Sequence, residues 1–505
     1  LVTLDLHQAA GSYRPIQLHL GFHLTSINPL ATSLVMLQKL GGVAMTNHYQ
    51  EAVWDEELIL KYNISGPRYT SYPTAIQFQD FKPRDFLKHA QQAVEPHSPL
   101  SLYVHVPFCQ HICFYCGCNK VATKDVTRAN RYLDALEAEM AMLKPYFADR
   151  PVKQLHWGGG TPTFIDGDQT KRLMKMLKSN FDLLADDLGE YSIEIDPRVT
   201  TPERLTLLRE LGFNRISLGV QDFNPETQTA INRLQGFDLV EQTVHAGRNN
   251  GFFSISFDLI YGLPLQTVES FGNTIDQVIQ LNPDRIAVYN YAHLPERFKP
   301  QRRINESQLP DPSEKLAILE HCIRKLQQAG YVYIGMDHFA KPNDALVKAQ
   351  QTGTLQRNFQ GYSTHGDMDL LGLGVSSISY IDNCFIQNHR DINDYENQVL
   401  AGEPATFKGY TLDQDDLIRQ RVIKDLSCNG RLEFDVLDDY FDMDSRAYFR
   451  DELLRLASLE DDGLVRISDK AVRVTNQGRL LLRPICMVFD AYLQQTQGVR
   501  YSKVM

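Results

Sequence analysis

From about residue 100 onward the chain alternates short β-rich apolar runs with stretches whose apolar positions recur every three or four residues. The strand runs are Leu102–Val106, Gln154–Trp157, Tyr191–Ile195, Arg215–Val220, Ser254–Ile260 and Arg285–Tyr291. Between the first two, Tyr132, Leu133, Leu136, Met140 and Leu143 fall on one helical face. The same spacing predicts helices over Lys171–Leu184, Pro202–Leu211, Leu239–Asn249 and Ser270–Leu281. Strand–helix alternation of this kind builds right-handed βαβ units and a parallel sheet, so the fold class is α/β. Six units predict an incomplete (β/α)6 barrel rather than the eight of a closed one, with the site in the loops at the C-terminal strand ends.

Further on, residues 313–329 read as a helix, followed by the run Tyr331-Val-Tyr-Ile-Gly-Met-Asp-His-Phe339. Past about residue 405 the character changes. Helical patterns at Leu412–Leu426 and Arg446–Leu459 precede a hairpin, Leu464–Thr475, whose turn residues are Ser468–Lys470. Helices followed by a β-wing predict a mostly helical, winged-helix-like C-terminal domain. Asp451, Glu452, Glu460, Asp461 and Asp462 crowd its second half, which argues against DNA and for a lid or docking role.

The expected division is an N-terminal arm over 45–98, a barrel over 99–345, a connecting and site-completing segment over 346–404, and the C-terminal domain over 405–505. Residues 1–44 lack periodicity and begin without methionine. Their short apolar stretch Leu34–Met36 has no convincing cleavage site behind it. The expectation is an upstream-extended segment, with the true start at Met45.

Composition narrows the function. The 505 residues are 43% hydrophobic and 22% charged, which fits two to four globular domains. No run approaches the ~20 apolar residues of a membrane span. A net charge of −11 argues against a general nucleic-acid binder, so no nucleic-acid partner is expected. Unpaired cysteines point to a reducing cytoplasm.

Four of the eight cysteines crowd into ten positions, Cys109 to Cys118, which disfavours a disulfide framework. Cys109, Cys113 and Cys116 follow an apolar run, Ser101–Phe108, with the spacing Cys-x3-Cys-x2-Cys. A structural zinc site would want a second ligand pair, but beyond His111 the remaining cysteines, Cys322, Cys384, Cys428 and Cys486, are distant and isolated. Those four read as inert buried thiols. Three thiolates instead suit a four-iron cubane that leaves one iron open to a small molecule. After the second strand run comes Gly158-Gly-Gly-Thr-Pro162, where a backbone without side chains can grip an amino acid's polar ends. Glu194 should project from a strand end. On its own, a structural carboxylate would be the better reading of it.

Taken together, these motifs resemble the radical S-adenosylmethionine enzymes. In that superfamily the amino and carboxylate groups of the methionine moiety chelate the open iron. An electron then cleaves the sulfonium to methionine and a 5′-deoxyadenosyl radical. Longer runs resemble one family within it, the oxygen-independent coproporphyrinogen III dehydrogenases of haem biosynthesis, over roughly residues 50–505. They are Tyr-Asn-Ile-Ser-Gly-Pro-Arg-Tyr-Thr-Ser-Tyr-Pro-Thr (62–74), Cys-Gly-Cys-Asn-Lys (116–120) and His-Trp-Gly-Gly-Gly-Thr-Pro (156–162). Gly-Val-Gln-Asp-Phe-Asn (219–224), Asp-Leu-Ile-Tyr-Gly-Leu-Pro (258–264), Tyr-Ala-His-Leu-Pro (291–295) and Gly-Met-Asp-His-Phe (335–339) complete the set.

The resemblance implies a [4Fe-4S] cluster on the three cysteines and two S-adenosylmethionines. The first would be held by Tyr103, Gly159, Glu194 and Ile378. The second would touch Tyr115, Gly160, Thr161, Gln221, Arg233, Asp258 and Ala292. Tyr115 stands where the family has phenylalanine, and the aromatic ring is kept. Cys118 lies outside the ligand spacing but belongs to the family pattern, with a role near the substrate. That substrate would be coproporphyrinogen III, a tetracarboxylate macrocycle, and Arg68 is the first candidate to meet it, because a guanidinium binds carboxylates bidentately. The implied reaction converts two propionates to vinyl groups, giving protoporphyrinogen IX. A flavodoxin or ferredoxin would donate electrons to a monomeric enzyme. The rival reading is a haem-binding or haem-trafficking protein on the same scaffold. Such relatives carry an aromatic residue at the place of Cys118 and lack the arm containing Gly-Pro-Arg-Tyr-Thr-Ser-Tyr-Pro, and both features are present here.

Overall fold

The structure is a computed structural model that describes residues 51–93, 97–366 and 368–493. The expectations for residues 1–44 and for a start at Met45 lie outside the described residues, as does the end of the 405–505 domain. All six expected strands form: β1 (Leu100–Val106), β2 (Pro151–Gly159), β3 (Glu190–Ile195), β4 (Arg215–Gln221), β5 (Ser254–Tyr261) and β6 (Arg285–Asn290). They pair in parallel in that order.

The run after residue 330 folds as a hairpin, β7 (Val332–Gly335) and β8 (His338–Ala340), with β8 antiparallel to β6. Met336 and Asp337 turn the hairpin in positive-φ conformations of 53° and 124°. A seventh parallel strand, β9 (Asp369–Leu373), lies on the outer side of β1. It leads into the antiparallel strands β10 (Ile378–Ile381), β11 (Cys384–Asn388) and β12 (Thr406–Thr411). The sheet therefore runs from edge to edge, and among the described residues its hydrogen bonding does not close the barrel.

Strand residues alternate between two environments. Leu102, Val104, Leu155, Trp157, Leu218, Phe257 and Leu259 are wholly buried on the outer face. The helices α1 (Arg128–Phe147), α2 (Gly167–Asn180), α3 (Pro202–Glu210), α4 (Phe237–Asn249), α5 (Val268–Leu281) and α6 (Pro312–Gln328) follow the strands in turn. The opposite face carries His156, Ser192, Glu194, Ser217, Ser256, Asp258 and Tyr289, which line an internal cavity of about 170 Å3. A closed (β/α)8 barrel packs its interior with branched apolar residues, whereas this one keeps polar groups inside.

Local chemistry sets the element ends. Helix α2 starts four residues before the expected Lys171, because Asp166 and Gln169 form a reciprocal capping box. It also stops short of Leu184, because Asp182–Leu183 pair with the start of β2. Within α1, the buried Glu139 carboxylate accepts from the Gly374 amide (2.8 Å), Asn388 Nδ2 (2.7 Å) and the Tyr395 hydroxyl (2.7 Å). That one side chain ties the turn after β9 to the helix.

The C-terminal region is mostly helical. It contains Gln414–Lys424, Phe434–Phe441 and Arg450–Asp461, with the expected hairpin at Val465–Ile467 and Ala471–Val474. The hairpin gains a third strand, Arg431–Glu433. This region grips the N-terminal arm. Arg483 donates to the carbonyls of Gly66 and Pro67, the Tyr69 hydroxyl donates to Asp490 (3.0 Å), and Gln420 donates to the Tyr72 carbonyl (2.8 Å).

Candidate active site

The cysteine loop leaves β1 and doubles back through a short parallel pairing of Phe108–Cys109 with Val121–Ala122. The glycine run at the end of β2 lies directly against it. Gly160 donates its amide to the Val106 carbonyl (2.9 Å), and Thr161 donates to the Phe108 carbonyl (2.8 Å). A Cβ at Gly160 would stand 2.7 Å from the Pro107 backbone, so only glycine permits this approach.

Each candidate ligand thiol has its own hydrogen-bond donor. Thr161 Oγ1 reaches Cys109 Sγ at 3.4 Å, and the Cys118 amide reaches Cys116 Sγ at 3.4 Å. Arg233 Nη1 and Arg198 Nη2 reach Cys113 Sγ at 3.4 and 3.6 Å. Donors and guanidiniums around the sulfurs suit thiolates, the ligating form. The Cys118 hydrogen bonds pull the Cys116 thiol down to about 5, with Lys120 adding to the effect, while burial pushes Cys109 up to about 11. Among the described residues no three His, Cys, Asp or Glu side chains converge on a single-ion site. A cubane is consistent with that spread, because each thiolate ligates a different iron.

Apart from Ile378, the residues expected at the first S-adenosylmethionine form one network. The Gly159 amide donates to Glu194 Oε2 (3.2 Å), and Glu194 Oε1 lies 3.2 Å from His156 Nε2. His156 Nδ1 is 2.6 Å from Ser192 Oγ, and the Tyr103 ring stacks on His156 with centroids 5.9 Å apart. The Tyr103 hydroxyl meets His105 Nδ1 at 3.0 Å. Ile378 lies outside this network but near it: its carbonyl would lie 2.8 Å from a Cβ at Gly372, the register partner of Tyr103.

The residues expected at the second molecule are laced to the same loop. Arg233 donates to the Gly219 carbonyl (2.6 Å) and lies 3.4 Å from Asp196 Oδ2. Gln221 holds a φ of 67°, and its buried Oε1 has no hydrogen-bond partner among the described residues. Gln301 Nε2 donates to the carbonyls of both Tyr115 (2.9 Å) and Ala292 (3.2 Å). Burial, with the negative charge of Glu194 behind it, pushes the Asp258 carboxyl up to about 7, and Ser217 Oγ donates to it at 3.2 Å.

Cys118 is exposed at the loop's outer end. Arg68 reaches the C-terminal end of β6, its Nη2 3.4 Å from the Asn290 carbonyl. Four neighbours escaped the sequence reading: His105, His156, Arg198 and Gln301. His156 heads a quoted glycine-rich run and could have been drawn from it. Gln301 carries no local signal, because its role depends on a turn ten residues beyond β6.

A family model for the Radical SAM superfamily matches residues 103–278, from β1 through most of α5, and one for the HemN C-terminal domain matches residues 412–481. Fold and site thus define a radical S-adenosylmethionine protein. The chain is 50% identical over 454 residues to the oxygen-independent coproporphyrinogen III oxidase of Pseudomonas aeruginosa, covering 90% of this chain and 99% of that one. It is 51% identical over 458 residues to the Escherichia coli oxidase, with the same coverage. A solved structure of E. coli HemN, described as a coproporphyrinogen III oxidase and radical SAM enzyme, superposes with a TM-score of 0.83 at 48% identity. That match covers 88% of this chain and all of the other. The chain belongs to the oxygen-independent coproporphyrinogen III oxidase family.

Proposed function

We propose that this chain decarboxylates two propionate side chains of coproporphyrinogen III to vinyl groups without oxygen, giving protoporphyrinogen IX for haem biosynthesis. The observation that carries the reading is the lacing of the cysteine loop to the glycine run. Through it Cys109, Gly159–Thr161 and Glu194 share one hydrogen-bonded frame. The curated relatives above are named as oxidases, which favours the enzyme over the haem-binding reading.

Cys109, Cys113 and Cys116 would hold a [4Fe-4S] cluster by three ligands. When bound, the cluster and S-adenosylmethionine supply a carbon radical strong enough to take a hydrogen atom from the propionate β-carbon. The chain's residues then do the positioning. Glu194 and the Gly159 amide hold the first S-adenosylmethionine beside Tyr103 and Ile378. Tyr115, Gly160, Thr161, Gln221, Arg233, Asp258 and Ala292 hold a second. Arg198 and Arg233 offset the negative charge of the thiolates. Once the hydrogen is taken, the substrate radical loses CO2 and passes one electron to an external one-electron acceptor, leaving the vinyl group. Cys118 serves this later stage near the substrate, and Arg68 meets a carboxylate. The polar lumen orients the reacting arm, and the packed helices outside keep bulk water away.

A flavodoxin or ferredoxin is the proposed electron donor to a monomer in the cytoplasm. The domain division read from the sequence is retained in this proposal, with the family-model boundaries at 103–278 and 412–481 in its support.

The test is an anaerobic assay of reconstituted protein with coproporphyrinogen III, S-adenosylmethionine and a low-potential reductant. Protoporphyrinogen IX and two CO2 per substrate are expected. A protein with a full cluster that cleaves S-adenosylmethionine yet leaves this substrate intact would sink the proposal.

A further inference from the structure

Arg357 is a half-buried guanidinium with two buried donors unpaired among the described residues. It sits in the first strand of a small hairpin, Gln356–Asn358 with Gly361–Ser363, where it is the register partner of Tyr362. Its guanidinium lies 4.7 Å over the Tyr362 ring. Its Nε and Nη1 atoms are buried and lack a hydrogen-bond partner among the described residues, as does the Nε2 donor of Gln360 in the turn of the same hairpin. Leaving buried donors of a charged group unpaired is costly, so such groups normally have a partner.

The hairpin forms one wall of the internal cavity. Asn358, Gln360, Gly361, Tyr362 and Ser363 line it together with Glu194 and Asp258, and Arg357 lies behind this lining, over the Tyr362 ring. Tyr362 packs edge-on to His338 (centroids 5.1 Å), and His338 packs edge-on to Tyr289 (5.8 Å). Asn290, whose carbonyl takes the Arg68 guanidinium, follows Tyr289. Arg357 and Arg68 thus flank the same aromatic wall at the end of β6.

The anions in the cavity wall each have partners of their own. Glu190 has Arg215 (3.2 Å), Glu194 has His156 and the Gly159 amide, and Asp258 has Ser217. Asp337, at the tip of the β7–β8 hairpin, feels the charges of both Arg68 and Arg357. The two buried Arg357 donors are what an anion would satisfy. The cavity, at about 170 Å3, is below the several hundred Å3 of a pocket that swallows a drug-sized ligand. It has room for an arm of a macrocycle but not for the ring.

We propose that Arg357, assisted by Gln360 and flanked by Arg68, is a carboxylate-binding site that takes one propionate of the substrate into the barrel lumen. This rests on the coproporphyrinogen reading of the same site. The planar fork of arginine pairs with both carboxylate oxygens, and the Tyr362 face holds the fork in place.

The test is anaerobic equilibrium binding to cluster-reconstituted, full-length protein. The probes are coproporphyrin III, a stable tetracarboxylate analogue, and its tetramethyl ester, which has no anionic arm. Arg357→Gln should raise the Kd for the acid at least tenfold and Arg357→Lys at least threefold. Both should leave the ester's Kd and that of S-adenosylmethionine within twofold of wild type. A Kd for the acid within twofold of wild type in both variants overturns the site, and so does an equal loss for acid and ester. If one variant fails to retain its iron, the other decides. A wild-type protein that binds neither probe would overturn the coproporphyrinogen reading itself and this site with it.

Discussion

The side-chain amide of Gln301 reaches the carbonyl of Tyr115 at 2.9 Å, across 186 residues of sequence. The same amide serves Ala292, and its oxygen accepts from the Leu294 amide at 2.6 Å. One buried side chain therefore fixes the cysteine loop to the chain leaving β6. Gln301→Ala would strand three backbone groups, at about 1–3 kcal/mol for each buried group left unpaired. The expected variant keeps its cluster but shows a KM for S-adenosylmethionine raised at least fivefold and a lowered Tm. Unchanged values of both would show the link to be dispensable.

Cys113→Ser should abolish the cluster, because two thiolates are too few to hold a cubane. Iron and sulfide content, with the visible absorption band after anaerobic reconstitution, are the measurements. Four irons retained in the variant would end the assignment of the cysteine triad.

Cys118→Ser separates ligation from later chemistry. Both the amide and the thiol of Cys118 hydrogen-bond to Cys116, and a serine keeps both donors. The variant is expected to keep wild-type iron content and spectrum while forming little or no protoporphyrinogen IX. Loss of the cluster would make Cys118 a ligand, and near-normal product would remove it from the catalytic list.

Glu139 carries a pH signature. Burial pushes its carboxyl up to about 7, against the opposing pull of Tyr395, Gly374 and Asn388. A raised folded-state value means that stability from this group is whole below about pH 4.5 and is lost as pH rises through 7. Each pKa unit is worth about 1.4 kcal/mol, so the stability of wild type relative to Glu139→Gln should fall by about 3 kcal/mol between pH 4.5 and 7.5. Denaturant unfolding of both proteins across that range checks it. A flat difference would mean that the carboxyl ionises at its ordinary value.

The sequence exposed those elements whose period and chemistry are local. Six strands and their helices appear because Leu102, Val104, Leu155 and Trp157 alternate with polar residues, and the cysteine spacing is itself a local signal. What stayed hidden depends on distant partners. β9 is a run of five residues with no helix preceding it in the pattern, and it becomes a strand only by pairing with β1. Residues 331–339 read as one stretch because nothing in their hydropathy marks the Met336–Asp337 turn. Arg357 carries no local signal, since its unsatisfied donors exist only once the hairpin has formed.

The grip of the C-terminal region on the N-terminal arm also sets an order of assembly during synthesis. Arg68 emerges early from the ribosome, but the side chains that pin its neighbours, Gln420, Arg483 and Asp490, come more than 350 residues later. The cysteine loop also waits on later residues, because Arg198 and Arg233 reach Cys113 and Gln301 holds the Tyr115 carbonyl. The arm finds its seat only when the last helices arrive. The site is therefore finished last, by the residues farthest from it in the chain.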